Sequence, residues 1–131
     1  SASYAEAVGT IYLTLHPSPM TMVEALVHEH QHNKLNALLD LDPILENHPS
    51  ERYASPVRPD PRPLFGVLLA VHAFLPVEAL YRSALDAGEA RLEARYRAIV
   101  AKNREGAAVL LAHARPTRIG RGLLDEIARL S

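Results

Sequence analysis

Val27-His28-Glu29-His30-Gln31-His32-Asn33-Lys34-Leu35-Asn36-Ala37-Leu38-Leu39-Asp40-Leu41 is the stretch whose reading decides the fold. His28, Glu29 and His32 spell H-E-x-x-H. On a helix, residues four apart stand one turn apart on the same face, with Cβ atoms about 5–6 Å from each other. Two imidazoles so spaced can aim at one metal ion. Glu29 is rotated from His28 by about 100° and lies beside the pair. In metallohydrolases of this pattern that carboxylate is the general base for a metal-bound water, so Glu29 is the candidate catalytic residue. Taking His28 as zero, Thr21, Ala25, His32, Leu35 and Leu39 fall within about 60° on the helical wheel. The two imidazoles therefore belong to the inward half of the helix, where they are costly to bury without a partner.

The helix is expected to start near Thr21, with Glu24 completing a capping box, and to run to Leu39 or Leu41 before Asp42-Pro43. Glu24, four residues before His28, is also a candidate acceptor for that imidazole's second nitrogen. Gln31 flanks the site on the other side. His30 points away.

Outward from the helix, Gly9-Thr10-Ile11-Tyr12-Leu13-Thr14-Leu15 alternates apolar and polar residues, which predicts an N-terminal strand. A lone strand needs a partner, and a second copy of the chain is one candidate. Residues 43–63 form a long connection with six prolines. Within it, Arg58-Pro59-Asp60-Pro61-Arg62-Pro63 alternates charge with rigid backbone, and Arg58 and Arg62 are candidates for binding a carboxylate ligand. A second helix is predicted over 63–85, with Phe65, Leu68, Leu69, His72 and Leu75 on its buried stripe. His72 is the candidate third metal ligand, with Glu78, Glu89 and Glu93 as rivals. Pro76 removes the hydrogen bond to the carbonyl of His72. Further helices are expected from Val77 to Arg104, broken near Asp86-Ala87-Gly88, then over Gly106–His113 and Gly122–Leu130.

The fold class expected is mainly α. It comprises four to five helices with one N-terminal β-strand, a long Pro-rich loop and a zincin-like H-E-x-x-H metal helix, in a single metal-binding domain over residues 1–131. Net charge is −1, so there is no electrostatic case for nucleic acid. No cysteine is present, which leaves His and carboxylate as metal ligands and suits zinc, iron, manganese, nickel or cobalt. No apolar run approaches the roughly 18 residues of a membrane span, so no membrane association is expected and the cytoplasm is the expected location. The chain begins Ser1-Ala2, and a processed or excised piece of a longer protein fits that start.

Three blocks in order resemble the HExxH-motif peptide-modification proteins: the 27–41 stretch, Tyr53-Ala54 with Arg58 to Gly66, and Val71-His72-Ala73-Phe74-Leu75-Pro76-Val77. The resemblance covers residues 21–82. Members of that family are commonly longer, and Val57 stands where the family pattern has Trp. The resemblance implies an iron(II)/2-oxoglutarate-dependent hydroxylase acting on the side chains of a peptide substrate. It makes His28, His32 and His72 the iron ligands, and Arg58 or Arg62 the partner of the 2-oxoglutarate carboxylate. Two other readings of the same residues stay open: a zinc metallopeptidase with Glu29 as base, and a non-catalytic metal-binding domain.

Overall fold

The computed structural model describes all 131 residues, and its order of elements is four helices with one hairpin between the first two. Helix α1 spans Pro19–Leu39. Its start lies earlier than Thr21, because Ser18 caps it: the Ser18 hydroxyl accepts from the Thr21 amide at 3.3 Å, and Pro19 occupies the first turn, where its missing N–H costs nothing. Helix α2 spans Leu64–Asp86, directly after Pro63. Gly88, at φ +98°, turns the chain out of it. A 3₁₀ turn at Ala90–Leu92 then leads into α3, Glu93–His113. Residues 106–113 continue α3 instead of forming a separate helix. Helix α4 spans Arg118–Leu130, capped by Thr117, whose hydroxyl accepts from the Gly120 amide at 3.0 Å.

The expected N-terminal strand is not formed. Thr10–Leu15 stays irregular apart from one antiparallel bridge between Ala2 and Tyr12, and the segment's first residues make a 3₁₀ turn at Ala5–Ala7. The alternation that suggested a strand has no core to face, since Leu15 is 89% exposed and Tyr12 55%. Strand structure occurs instead inside the Pro-rich connection. There β1 (Tyr53–Ser55) and β2 (Arg58–Arg62) pair as an antiparallel hairpin, Tyr53 opposite Arg62 and Ser55 opposite Arg58, with a bulge between. Successive backbone amides in a strand point to alternate sides, so Pro59 and Pro61 put their missing donors on a common edge. The two-residue spacing of the prolines is what lets this sequence pair on its other side.

The core lies where α1, α2, α3 and α4 meet. Leu35 from α1, Leu64, Val67, Leu68, Val71 and Leu75 from α2, Ala107 and Leu110 from α3, and Leu124 and Ile127 from α4 form one buried cluster with Ile44 and Leu45. The α2 positions recur at three and four, as a 3.6-residue repeat requires. The buried stripe is rotated by one residue from the predicted one. Val67 and Val71 take the centre, while Phe65, Leu69 and His72 sit half-buried at its edge. A smaller cluster of Val77, Tyr81 and Ile99 joins the far end of α2 to α3. By length and composition alone α2 is long and apolar enough to cross a bilayer, at mean hydropathy 1.8, which the sequence reading did not expect; half of that window is buried in the fold.

Candidate metal centre

Helix α1 brings His28, Glu29 and His32 together, with one ligand atom from each within 4.8 Å of the others. The two imidazole rings stand 4.3 Å apart between centroids, tilted by 60°. On its other side His28 packs against the ring of Phe74 from α2, at 4.8 Å, which fixes its plane. Burial pushes His28 below its ordinary pKa despite the opposing charges of Glu29 and Glu24. His32 is lowered to about 4, first by burial and then by the His28 charge. Both rings are therefore neutral near pH 7, the state in which an imidazole nitrogen can bind a metal.

His28 and His32 open into a cleft of about 340 Å³. The hairpin forms its opposite wall, with Val57, Arg58 and Arg62 lining it beside Gly66, Leu69, Ala70 and Phe74 of α2. Gly66 has a specific use here. A Cβ at that position would lie 3.3 Å from Arg62 Nε and 3.5 Å from Arg62 Cβ, so its absence leaves room for the arginine side chain over the first turn of α2. Neither arginine makes an ion pair with a carboxylate of the chain. The cleft thus joins two neutral imidazoles to two guanidinium groups with no internal counter-ion.

His72 does not line that cleft. It borders a second cavity of about 520 Å³ with Gln31, Lys34, Leu35 and residues of α4. It is still near enough to His32 for its charge to lower the His32 pKa. The Nδ1 atoms of His32 and His72 are the chain's two buried side-chain polar atoms without a hydrogen-bond partner. Buried polar groups are normally paired, so an orphan of this kind calls for an explanation. Both orphans fall on residues singled out as ligands; a cation held at His28, Glu29 and His32 would give His32 a partner, whereas His72 stands outside that group of donors. The donor set, imidazole and carboxylate without thiolate, fits a first-row divalent metal.

Glu29 is 3% exposed and does not line the cleft. Its carboxylate accepts from the Ser1 hydroxyl at 2.9 Å and the Ser3 hydroxyl at 2.6 Å, and lies 3.5 Å from Nδ1 of His28. Burial raises its pKa, but the two hydroxyls and the neighbouring imidazoles outweigh burial and hold the carboxyl below its ordinary value.

Glu24 is neither a capping-box residue nor hydrogen-bonded to His28. Its two oxygens take the Tyr81 hydroxyl and the Arg95 guanidinium, tying α1 to α2 and α3. Gln31 is directed at α2: its Nε2 donates to the carbonyl of His72 at 3.2 Å. That carbonyl is the one freed by Pro76, so the glutamine replaces the missing helical donor. Among the rival ligands, Glu78 accepts from Asn103, while Glu89 and Glu93 pair with Arg91 and Arg97 on the surface. Sequence reasoning missed Ser3 and Asn33. Asn33 is four residues after Glu29, and that spacing was the available signal for a shared buried face. No protein-family model matches the chain, and no curated protein is found to match it.

Proposed function

We propose that the chain carries a mononuclear iron(II) centre and acts as a 2-oxoglutarate-dependent hydroxylase of a peptide side chain. His28 and His32 are the proposed ligands in the cleft, and His72, which borders the neighbouring cavity, is the proposed third. The observation that carries this reading is the cleft that His28, His32, Arg58 and Arg62 line together. A guanidinium presents paired donors that match a carboxylate, so the hairpin arginines suit the far carboxylate of a dicarboxylic co-substrate chelated at the metal. A set of three protein ligands leaves the open positions that such a co-substrate and O₂ need. When bound, the iron and 2-oxoglutarate supply the oxidising chemistry; the chain's own residues bind, orient and shield. The likeness of residues 21–82 to the HExxH-motif peptide-modification proteins supports the same reading.

In the zinc peptidase reading Glu29 takes a proton from water in the cleft. Its burial under Ser1 and Ser3 speaks against that role. The two readings part on Glu29→Gln. At saturating Fe(II), 2-oxoglutarate and O₂, succinate release by the full chain is expected to survive this substitution and to vanish in His32→Ala. No succinate from the wild-type chain, together with zinc-dependent peptide cleavage abolished by Glu29→Gln, would replace the hydroxylase with the peptidase.

A further inference from the structure

The carboxylate of Glu29 and the amide of Asn33, one turn apart on α1, are both buried, and Ser1, Ser3, Gly9 and Thr10 of the N-terminal segment bond to them. The contacts form a closed set. Ser3 Oγ reaches Glu29 Oε2 at 2.6 Å and the Glu29 carbonyl at 3.2 Å. A hydroxyl has one proton to give, and the shorter, charge-assisted contact takes it. Ser3 Oγ in turn lies 3.2 Å from Asn33 Nδ2, whose two protons are shared among Ser3 Oγ, the Thr10 carbonyl and the Glu29 carbonyl, all at 3.2 Å. Asn33 is itself gripped by the segment: its Oδ1 accepts from the Gly9 amide at 2.5 Å, and its Nδ2 reaches the Thr10 carbonyl at 3.2 Å. Paired backbone bonds between Ala2 and Tyr12, both 2.9 Å, close the strap on itself.

We propose that this N-terminal strap belongs to the metal centre: Ser3, anchored by Asn33, holds Glu29 against Nδ1 of His28 and so fixes that ring as a ligand through Nε2. The proposal rests on the metal-centre reading above and extends it to residues outside the cleft. A carboxylate on the far nitrogen of a ligating histidine sets its tautomer and orientation and raises its basicity. Glu29 does not line the cleft, and its Oε1 lies 3.5 Å from Nδ1 of His28, close enough for an electrostatic contact but without a hydrogen bond, so the ring must turn slightly toward the carboxylate to be held by it. Ser3 and Asn33 are positioning residues: they touch neither metal nor substrate and act through the carboxylate. Ser1 adds a second hydroxyl to the other oxygen at 2.9 Å.

The test uses the full chain with Co(II) alone as the probe, followed by its visible absorption, and the ring ¹⁵N spectrum of His28 in the metal-free protein. Ser3→Ala should weaken Co(II) binding by roughly tenfold to a hundredfold, the usual cost of losing such an outer partner. Ser3→Thr, which keeps the hydroxyl, should restore it. Glu29→Gln, which keeps the side chain's size and one acceptor oxygen but loses the charge, should match Ser3→Ala and serves if that variant fails to fold. In the metal-free wild type His28 should carry its proton on Nδ1, and Ser3→Ala should mix the tautomers. Wild-type Co(II) affinity and an unchanged His28 ring in Ser3→Ala would overturn the proposal alone. Failure of the wild-type chain to bind Co(II) would overturn the metal reading and this proposal together.

Discussion

At the scale of single residues, the chain repeatedly satisfies a polar group from a distant position. Gln31 and Pro76 are the plainest case. Proline leaves the His72 carbonyl without its helical donor, and Gln31 Nε2 supplies one at 3.2 Å. Leaving a buried carbonyl unpaired costs about 1–3 kcal/mol. Gln31→Ala is therefore expected to destabilise the fold by about that amount in urea unfolding. The same change in a Pro76→Ala background, where an amide is again available, should cost about 1 kcal/mol less. Additive losses in the two backgrounds would refute the pairing. Glu51 gives a second, pH-dependent case. Its carboxyl is lowered from 4.5 to about 2, first by the Tyr53 hydroxyl at 2.7 Å and then by Arg115 at 2.5 Å. A group lowered on folding stabilises the fold fully above its ordinary value and loses that contribution as pH falls through the lowered one. The window here runs from 4.5 down to about 2. Tyr53→Phe should raise the Glu51 titration midpoint seen by NMR and narrow that window from below; an unmoved midpoint would mean the hydroxyl is not the cause.

At the scale of elements, α4 is docked by the segment that follows α1. Ile44 sits at φ +66°, a conformation that costs a side-chain-bearing residue about 1–2 kcal/mol. It is held there because its amide donates to Asp42 Oδ1 at 2.6 Å and its carbonyl accepts from the Thr117 amide at 2.9 Å. Its side chain is fully buried. Ile44→Gly would relieve the strain but lose about 2–5 kcal/mol of packing, so packing wins and a net loss of about 2 kcal/mol is expected. Gly120 faces the same carbonyl: an added Cβ would lie 1.9 Å from Ile44 O. Gly120→Ala should therefore lower the urea midpoint by the equivalent of about 3 kcal/mol, and an unchanged midpoint would show that α4 can slide.

The elements also show what the sequence could and could not disclose. Helices α1 and α2 were legible because long 3.6-residue repeats are local signals, and the H-E-x-x-H spacing placed its histidines without further help. The hairpin was not, since proline argues against a strand unless its spacing puts every missing donor on an unpaired edge. The apolar alternation of Ile11, Leu13 and Leu15 misled for the opposite reason: the pattern was present, but the segment pairs only through the Ala2–Tyr12 bridge and takes no part in the β1–β2 hairpin. The sequence divides helix α3 in two, one part ending at Arg104 and the other starting at Gly106, where the structure is continuous. A Cβ there would meet Val71 at 2.7 Å and Pro56 at 3.4 Å, so the glycine is required by close packing inside a continuous helix. The strap's contacts from Ser3 to Glu29 and Asn33 span 26 and 30 residues, beyond any periodicity argument.

At the scale of the whole molecule, the proposed metal would sit on α1 at His28 and His32, in the cleft that the hairpin also lines, and would join α1 to α2 with His72 as its third ligand only after His72 turns from the neighbouring cavity. A ligand that binds only the folded state stabilises it in proportion to occupancy, by about 2.7 kcal/mol at a hundredfold excess over Kd. For a chain of 131 residues that corresponds to a rise in Tm on the order of 10 °C, which differential scanning calorimetry with and without Fe(II) under argon would register. His32→Ala should abolish the rise. An equal rise in that variant would place the metal elsewhere.

In the function proposed above, the imidazoles of α1 and the arginines of the hairpin form one site for a chelated dicarboxylate. The direct measurement is the visible spectrum of the full chain, prepared without oxygen, with Fe(II) and 2-oxoglutarate added separately and together. A weak charge-transfer band that needs both additions, disappears in His32→Ala and requires higher 2-oxoglutarate in Arg62→Ala is the expected result. No band under any of these conditions, from a chain that keeps zinc through purification, would contradict it.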